Sequence, residues 1–202
     1  LGDVYKRQAL EKGYEPKDIQ VLAPKYGGVA GIDALNNALQ KMMNPSTAHK
    51  RELKVGYRIF RVGDKVLQLK NQPEDEVYNG DIGEIVDIAY ASESVGQKHK
   101  LLVDFDGIMV EYSNEQLYNI THAFCISIHK AQGSEYPIVI LPIVSEYAYM
   151  MSKRLLYTAV TRAKKSLVLL GERDMLHKAV TRKERHQRNS TLEMRIRKLF
   201  HA

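Results

Sequence analysis

The sequence predicts an α/β chain whose parallel sheet is interrupted by a small all-β unit. Near-continuous apolar runs at residues 123–127 and 138–143 have the composition of parallel strands covered on both faces, and a strand at 166–170 completes the sheet. Amphipathic stretches at 31–43 and 150–162 accompany them, as crossover helices do. Between the α/β parts, residues 57–118 break into short strands separated by turn signals, at the spacing of a small barrel.

Residues 1–13 read as the tail of a helix, with Gly13 as its C-terminal cap. The chain starts without a methionine or a capping signal, so a piece of a longer polypeptide is expected. Residues 19–23 form a short strand that stops at Pro24, and Lys25, Tyr26, Gly27 and Gly28 turn into a helix with Ile32, Leu35, Leu39 and Met42 on one face. Asn44, Pro45 and Ser46 break that helix. Strands follow at 58–60, 65–69, 83–90, 100–105 and 108–112, and Asp106-Gly107 is a hairpin signal. From Asn119 the α/β pattern resumes. Helices at 174–180 and 191–200 close the chain, the last with Leu192, Ile196 and Leu199 opposite Arg195, Arg197 and Lys198.

The composition, 44% hydrophobic and 27% charged, is that of an ordinary soluble globular protein. A net charge of +6 fits a polyanion partner, because basic side chains that neutralise phosphates release condensed counterions; a solvated basic surface explains the same charge. Cys125 is the single cysteine, which excludes an internal disulfide and a cysteine metal cluster, and it lies in an apolar run as a small core residue. The histidines lack HxxxH or HExxH spacing, so no metal ligands are expected. No apolar run approaches the roughly 20 residues that span a bilayer. A cytoplasmic protein without a membrane partner is the expectation.

The run at 123–127 leads straight into Ser127, His129, Lys130, Gln132, Gly133, Ser134 and Glu135. Ligands of open α/β sheets sit at the carboxyl ends of strands, which makes this cluster the first candidate site. The helix at 150–162 presents Thr161 and Arg162 just before the next strand, so Arg162 ends a helix beside a sheet.

SIHKAQGSEYPIVILPI resembles motif V, and LLYTAVTRAK motif VI, of superfamily 1 nucleic-acid helicases, closest to the RecD-like branch. IQVLAPKYGGVAGIDALNNALQ is similar to the motif IV region of that branch, and FRVGDKVLQLKNQPEDEVYNGDIGEI to its inserted β-barrel. Four such strings in the family's order are specific where one alone is not. The resemblance implies a RecA-like, P-loop-NTPase-type parallel sheet domain, residues 1–56 and 119–202, interrupted by an SH3-like barrel at 57–118.

By resemblance, Arg162 is the finger that reaches the γ-phosphate of ATP. A planar guanidinium suits the redistributing charge of phosphoryl transfer, although a surface ion-paired arginine would also end a helix. Gly133, Glu135 and Gln132 fall on the ATP side: a glycine admits close backbone approach and a carboxylate accepts from ribose hydroxyls. A turn glycine followed by a solvated acid is the plainer alternative. Ser127, His129 and Lys130 face the nucleic-acid strand in the family, where they contact phosphates without reading sequence. Thr158 is placed on that DNA side too. Lys25 could touch a phosphate and Tyr26 stack on a base, and a plain strand-to-helix turn explains the same two residues. Arg61, Lys65 and Lys70 are basic enough to line a DNA path on the barrel.

The sequence contains no GxxxxGK[ST] loop and no apolar strand ending in paired acids. The chain alone is therefore expected not to hydrolyse ATP. A first RecA-like domain of the same protein would supply the phosphate loop and most of the hold on Mg²⁺. The implied function is the C-terminal motor half of an ATP-dependent 5′ to 3′ DNA helicase acting on single-stranded DNA. The helicase half of a conjugative relaxase and a non-motor nucleic-acid-binding module are the alternatives.

Overall fold

The computed structural model describes residues 13–93 and 98–182, together with residues 191, 196, 197, 199 and 200. The helix expected at 1–13 lies outside the described residues apart from Gly13, and of that expected at 191–200 the described residues 196, 197, 199 and 200 are helical. In chain order the elements are β1 (Ile19–Ala23), α1 (Ile32–Met43), β2 (Glu52–Val55), β3 (Arg58–Arg61), β4 (Lys65–Gln68), β5 (Ile82–Ala89), β6 (Lys100–Phe105), β7 (Ile108–Ser113), β8 (Ile120–His122), β9 (Cys125–Ser127), β10 (Tyr136–Ile143), α2 (Lys153–Val160), β11 (Ala163–Gly171) and α3 (Arg173–Thr181).

Four strands pair in parallel in the order β11-β10-β1-β9. All five residues of β1 are buried, as a strand flanked on both sides and covered on both faces must be. The short edge strand β9 has its free backbone covered by α1: the Asn36 amide donates to the Cys125 carbonyl and accepts from the Cys125 N–H, both at 2.8 Å. An amide side chain thus stands in for a missing neighbour strand.

The helix expected at 150–162 is shorter. Ser152 caps it, its hydroxyl accepting from the Leu155 N–H at 3.2 Å, and residues 145–147 before it form a separate 3-10 turn. The strand expected at 166–170 begins earlier, because Ala163 already pairs with Tyr136 before an irregularity in register. Of the run expected as one strand at 123–127, only Cys125–Ser127 is strand, and it follows directly on a strand of a second sheet. Residues up to His122 pair antiparallel with β4, Ala123 and Phe124 turn the chain, and Cys125 onward pairs in parallel with β1. Gln20, fully buried, holds that turn by donating to the Ala123 carbonyl at 3.0 Å.

The all-β unit is an antiparallel sheet, β7-β6-β5-β4-β8, with the β2-β3 hairpin beside it. Asp106 and Gly107 both have positive φ, which two-residue hairpins require for their twist to match that of the strands. Phe60, Val66, Ile85, Val103 and Tyr112 are among the residues that fill its core. Strand alternation sends Val66 into this core while Leu67 packs with the α/β core. The two units therefore share β4 as a wall.

A fully buried carboxylate locks this seam. Asp64 accepts from Gln40 Nε2 at 2.6 Å, Asn44 Nδ2 at 2.8 Å and the Arg61 N–H at 2.8 Å, and lies 3.2 Å from His122 Nε2. Arg61, expected on a DNA path, is buried here instead. Its Nε donates to Glu52 and its Nη1 to the Asn44 carbonyl, both at 2.5 Å.

Candidate nucleotide and nucleic-acid site

The polar cluster after β9 is stretched over the height of the sheet. Ser127 lies opposite Ala23, the last residue of β1, so the cluster leaves from the carboxyl edge. Ile138 lies opposite Ile19, the first residue of β1, and Tyr136 opposite Ala163, the first of β11. Residues 128–135 thus return the chain from one edge to the other, the task a crossover helix usually performs. The expectation of one strand end carrying all seven residues is corrected accordingly: a parallel strand must be re-entered at its amino edge, and this connection is too short to do so anywhere but across the site.

The carboxyl-edge half begins with Ser127, a buried residue whose hydroxyl accepts from the Lys130 N–H at 3.1 Å and tightens the turn. His129 is exposed, and the Lys130 ammonium reaches the Asn79 side-chain oxygen of the barrel at 2.6 Å. Lys25 and Tyr26 follow β1 at the same edge. Tyr26 is exposed, while Lys25 pairs with Glu146 at 2.6 Å. The Lys25 hydrogen bond, helped by the backbone N–H of Ala30, holds the Glu146 carboxyl below the usual carboxylate range. Gly28 is required beside it: its φ is +99°, and a Cβ there would lie 1.8 Å from a Glu146 oxygen.

Gly133, Ser134, Glu135 and Arg162 gather at the amino edge. Gly133 has φ +88° with open space where a side chain would stand. Gln132 and Glu135 are exposed, and Glu135 meets Lys164 at 3.3 Å in a solvated pair. The half-buried Arg162 guanidinium donates through Nε to the Thr158 carbonyl at 3.1 Å, through Nη1 to the Ser134 carbonyl at 3.0 Å and through Nη2 to Thr161 Oγ1 at 3.1 Å. Among the described residues these acceptors are all neutral, so the charge is oriented without being neutralised by them. Among the described residues, two of its five N–H groups meet no acceptor and remain for a ligand. Thr158, grouped by sequence with the DNA-side residues, touches Arg162 here and bonds its own hydroxyl back to the Arg154 carbonyl at 3.0 Å.

Sequence reasoning missed Thr161, Asn79 and Glu146 as partners of these groups. Thr161 adjoins Arg162 and was legible; the other two come from distant chain segments and carry no local signal. Of the basic barrel residues, Lys70 is exposed, whereas the Lys65 ammonium is turned inward to the carbonyls of Lys17 and Ile19 at 3.1 and 3.2 Å. Burial lowers its pKa to about 8.

Residues 35–105 match the model of the ATP-dependent RecD-like DNA helicase SH3 domain, and residues 122–170 that of the UvrD-like helicase C-terminal domain. The chain belongs to the RecD-like branch of the superfamily 1 helicases, and corresponds to part of their C-terminal region. The ATP-dependent RecD2 DNA helicase of Deinococcus radiodurans is 35% identical over 182 residues, which cover 90% of this chain and 24% of that protein. The RecBCD enzyme subunit RecD of Buchnera aphidicola subsp. Schizaphis graminum is 25% identical over 167 residues, 81% of this chain and 26% of the subunit. The chain thus spans about a quarter of the length of these curated relatives. A crystal structure of Pif1 helicase from Bacteroides in complex with ADP-AlF3 and ssDNA has the same fold over 91% of this chain and 45% of its own, with a TM-score of 0.55 at 15% identity. The RecD-like chain therefore has the α/β helicase fold with its barrel insertion. Among the described residues no helix is long and apolar enough to cross a membrane.

Proposed function

We propose that this chain is the second motor domain of an ATP-dependent DNA helicase that moves 5′ to 3′ along single-stranded DNA. The relatives named above are helicases, which favours this reading over a relaxase half or a non-motor module. The division proposed with it gives residues 1–56 and 119–202 to the RecA-like unit and 57–118 to the barrel, with bounds that the pairing of β2 with β3 and of β8 with β4 moves outward, since Leu53 and Ile120 pack in the barrel core.

The observation that carries the reading is the Arg162 guanidinium, held 3.0 Å from the Ser134 carbonyl next to Gly133, oriented and with N–H groups to spare. A cation so oriented stabilises charge on a transferred phosphoryl group without reorganising during the reaction. Gly133, Gln132 and Glu135 at the same edge take the sugar and phosphates of ATP, the open space at Gly133 leaving room for close approach. Mg²⁺ is held chiefly by a first RecA-like domain across the cleft. Ser127, His129, Lys130, Lys25 and Tyr26 at the opposite edge grip the strand through phosphate and stacking contacts. Thr158, assigned to the strand by resemblance, acts beside Arg162. The connection 128–135 ends at both, so cleft closure moves the grip.

The test is DNA-stimulated ATPase and unwinding by the full-length polypeptide, wild type against Arg162→Ala, on duplexes with a single 5′ or 3′ tail. The expected loss in kcat is about 10³-fold, with unwinding of the 5′-tailed substrate. An undiminished kcat removes the finger role, and preference for a 3′ tail removes the polarity.

A further inference from the structure

Tyr136 begins β10 at the amino edge. Its N–H donates to the Arg162 carbonyl at 2.8 Å, fixing the backbone from which the guanidinium extends. Its ring is buried in the α/β core. Burial raises the phenol pKa, while the Ser134 side chain and the Arg162 charge both act in the opposite direction; Ser134 is also the residue whose backbone carbonyl accepts from Arg162 Nη1.

The ring also faces the barrel. The Lys65 ammonium, at the start of β4, lies 5.8 Å from its centroid, and its hydrogen bonds to the Lys17 and Ile19 carbonyls keep it there. A half-buried cation over an aromatic face is a favourable contact, stronger when desolvated. Lys65 belongs to the wall shared by both units, so the contact spans the seam between barrel and sheet.

We propose that Tyr136 is a positioning residue for Arg162, and that Lys65 ties it to the barrel, so that the barrel's seating on the sheet sets the aim of the guanidinium. This rests on Arg162 acting at the transferred phosphate. Near-attack geometry is steep: a displacement of 1 Å from a remote substitution can cost about a hundredfold in rate. Aim rather than affinity is at stake, so the effect falls on kcat.

The experiment uses the full-length polypeptide carrying Tyr136→Leu, Tyr136→Phe or Lys65→Met, each alone and combined with Arg162→Ala, with kcat and KM for ATP and the Kd for a single-stranded oligonucleotide. Tyr136→Leu and Lys65→Met are expected to lower kcat roughly tenfold with KM and Kd unchanged, and Tyr136→Phe, which keeps the ring, to recover most of it. Neither is expected to lower kcat further once Arg162 is alanine, as residues acting through one group are non-additive. If Arg162→Ala itself leaves kcat intact, the functional reading fails. If it lowers kcat while Lys65→Met and Tyr136→Leu do not, or if these act equally in its absence or shift KM and Kd in parallel, the positioning role is overturned. Should Tyr136→Leu not fold, Lys65→Met decides.

Discussion

Arg162 Nη1 and the Ser134 carbonyl, 3.0 Å apart, join the end of α2 to the last part of the connection from β9. The same guanidinium also reaches Thr158 and Thr161, a pattern only a forked donor can satisfy. Arg162→Lys should therefore be nearly as damaging as Arg162→Ala: a lone ammonium keeps the charge and loses the aim. ATPase measurements on the two variants of the full-length protein should agree within about tenfold, and a lysine variant near wild type would refute the geometric argument.

Lys130 and Asn79 make a contact that nucleic acid would have to share or break. Lys130→Ala should reduce the slope of log K against log salt for a single-stranded oligonucleotide by about 0.7, the share of one phosphate contact. Asn79→Ala should leave the slope intact, since it frees the ammonium rather than removing it. Titration at several salt concentrations separates the two.

Asp64 is fully buried with three donors committed to it. Asp64→Ala strands those donors at the seam, at a cost of about 3 kcal/mol or more. Denaturant unfolding should register that loss, and protease cleavage between barrel and sheet should accelerate.

Lys65 gives a pH signature. Its folded pKa is near 8, below its ordinary 10.5. Below pH 8 the lysine is charged in both states and the penalty for burying it is fully present. Between pH 8 and 10.5 the unfolded chain holds more protons than the folded one, so stability rises with pH on this account. Wild type should thus gain on Lys65→Met across that window. Unfolding curves for the pair at pH 7 and 10 test it, and a constant gap would mean that the ammonium is not desolvated.

Much of the fold was legible locally. The largely buried run of β10, the apolar run of the more exposed edge strand β11, the Asp106-Gly107 hairpin and the amphipathic α1 each follow from patterning within a dozen residues. The departures have one cause. Asn36, Gln40 and Asn44 stand four apart on a helix and at its end, and read as polar; they are buried because β9 and Asp64, supplied from elsewhere in the chain, meet them. Arg61 and Lys65 read as surface cations and turn inward for the same reason.

The sequence by itself determined the alternation of apolar runs and helices, the barrel's turn chemistry and the motif residues that carry the helicase resemblance, since these depend on neighbours along the chain. Only the tertiary structure decided that residues 128–135 cross from one edge of the sheet to the other, and that Arg162 meets Ser134 while Lys130 meets Asn79. Strand register and the docking of the two units set those relationships. Both arise from contacts between residues tens of positions apart, which no local spacing encodes.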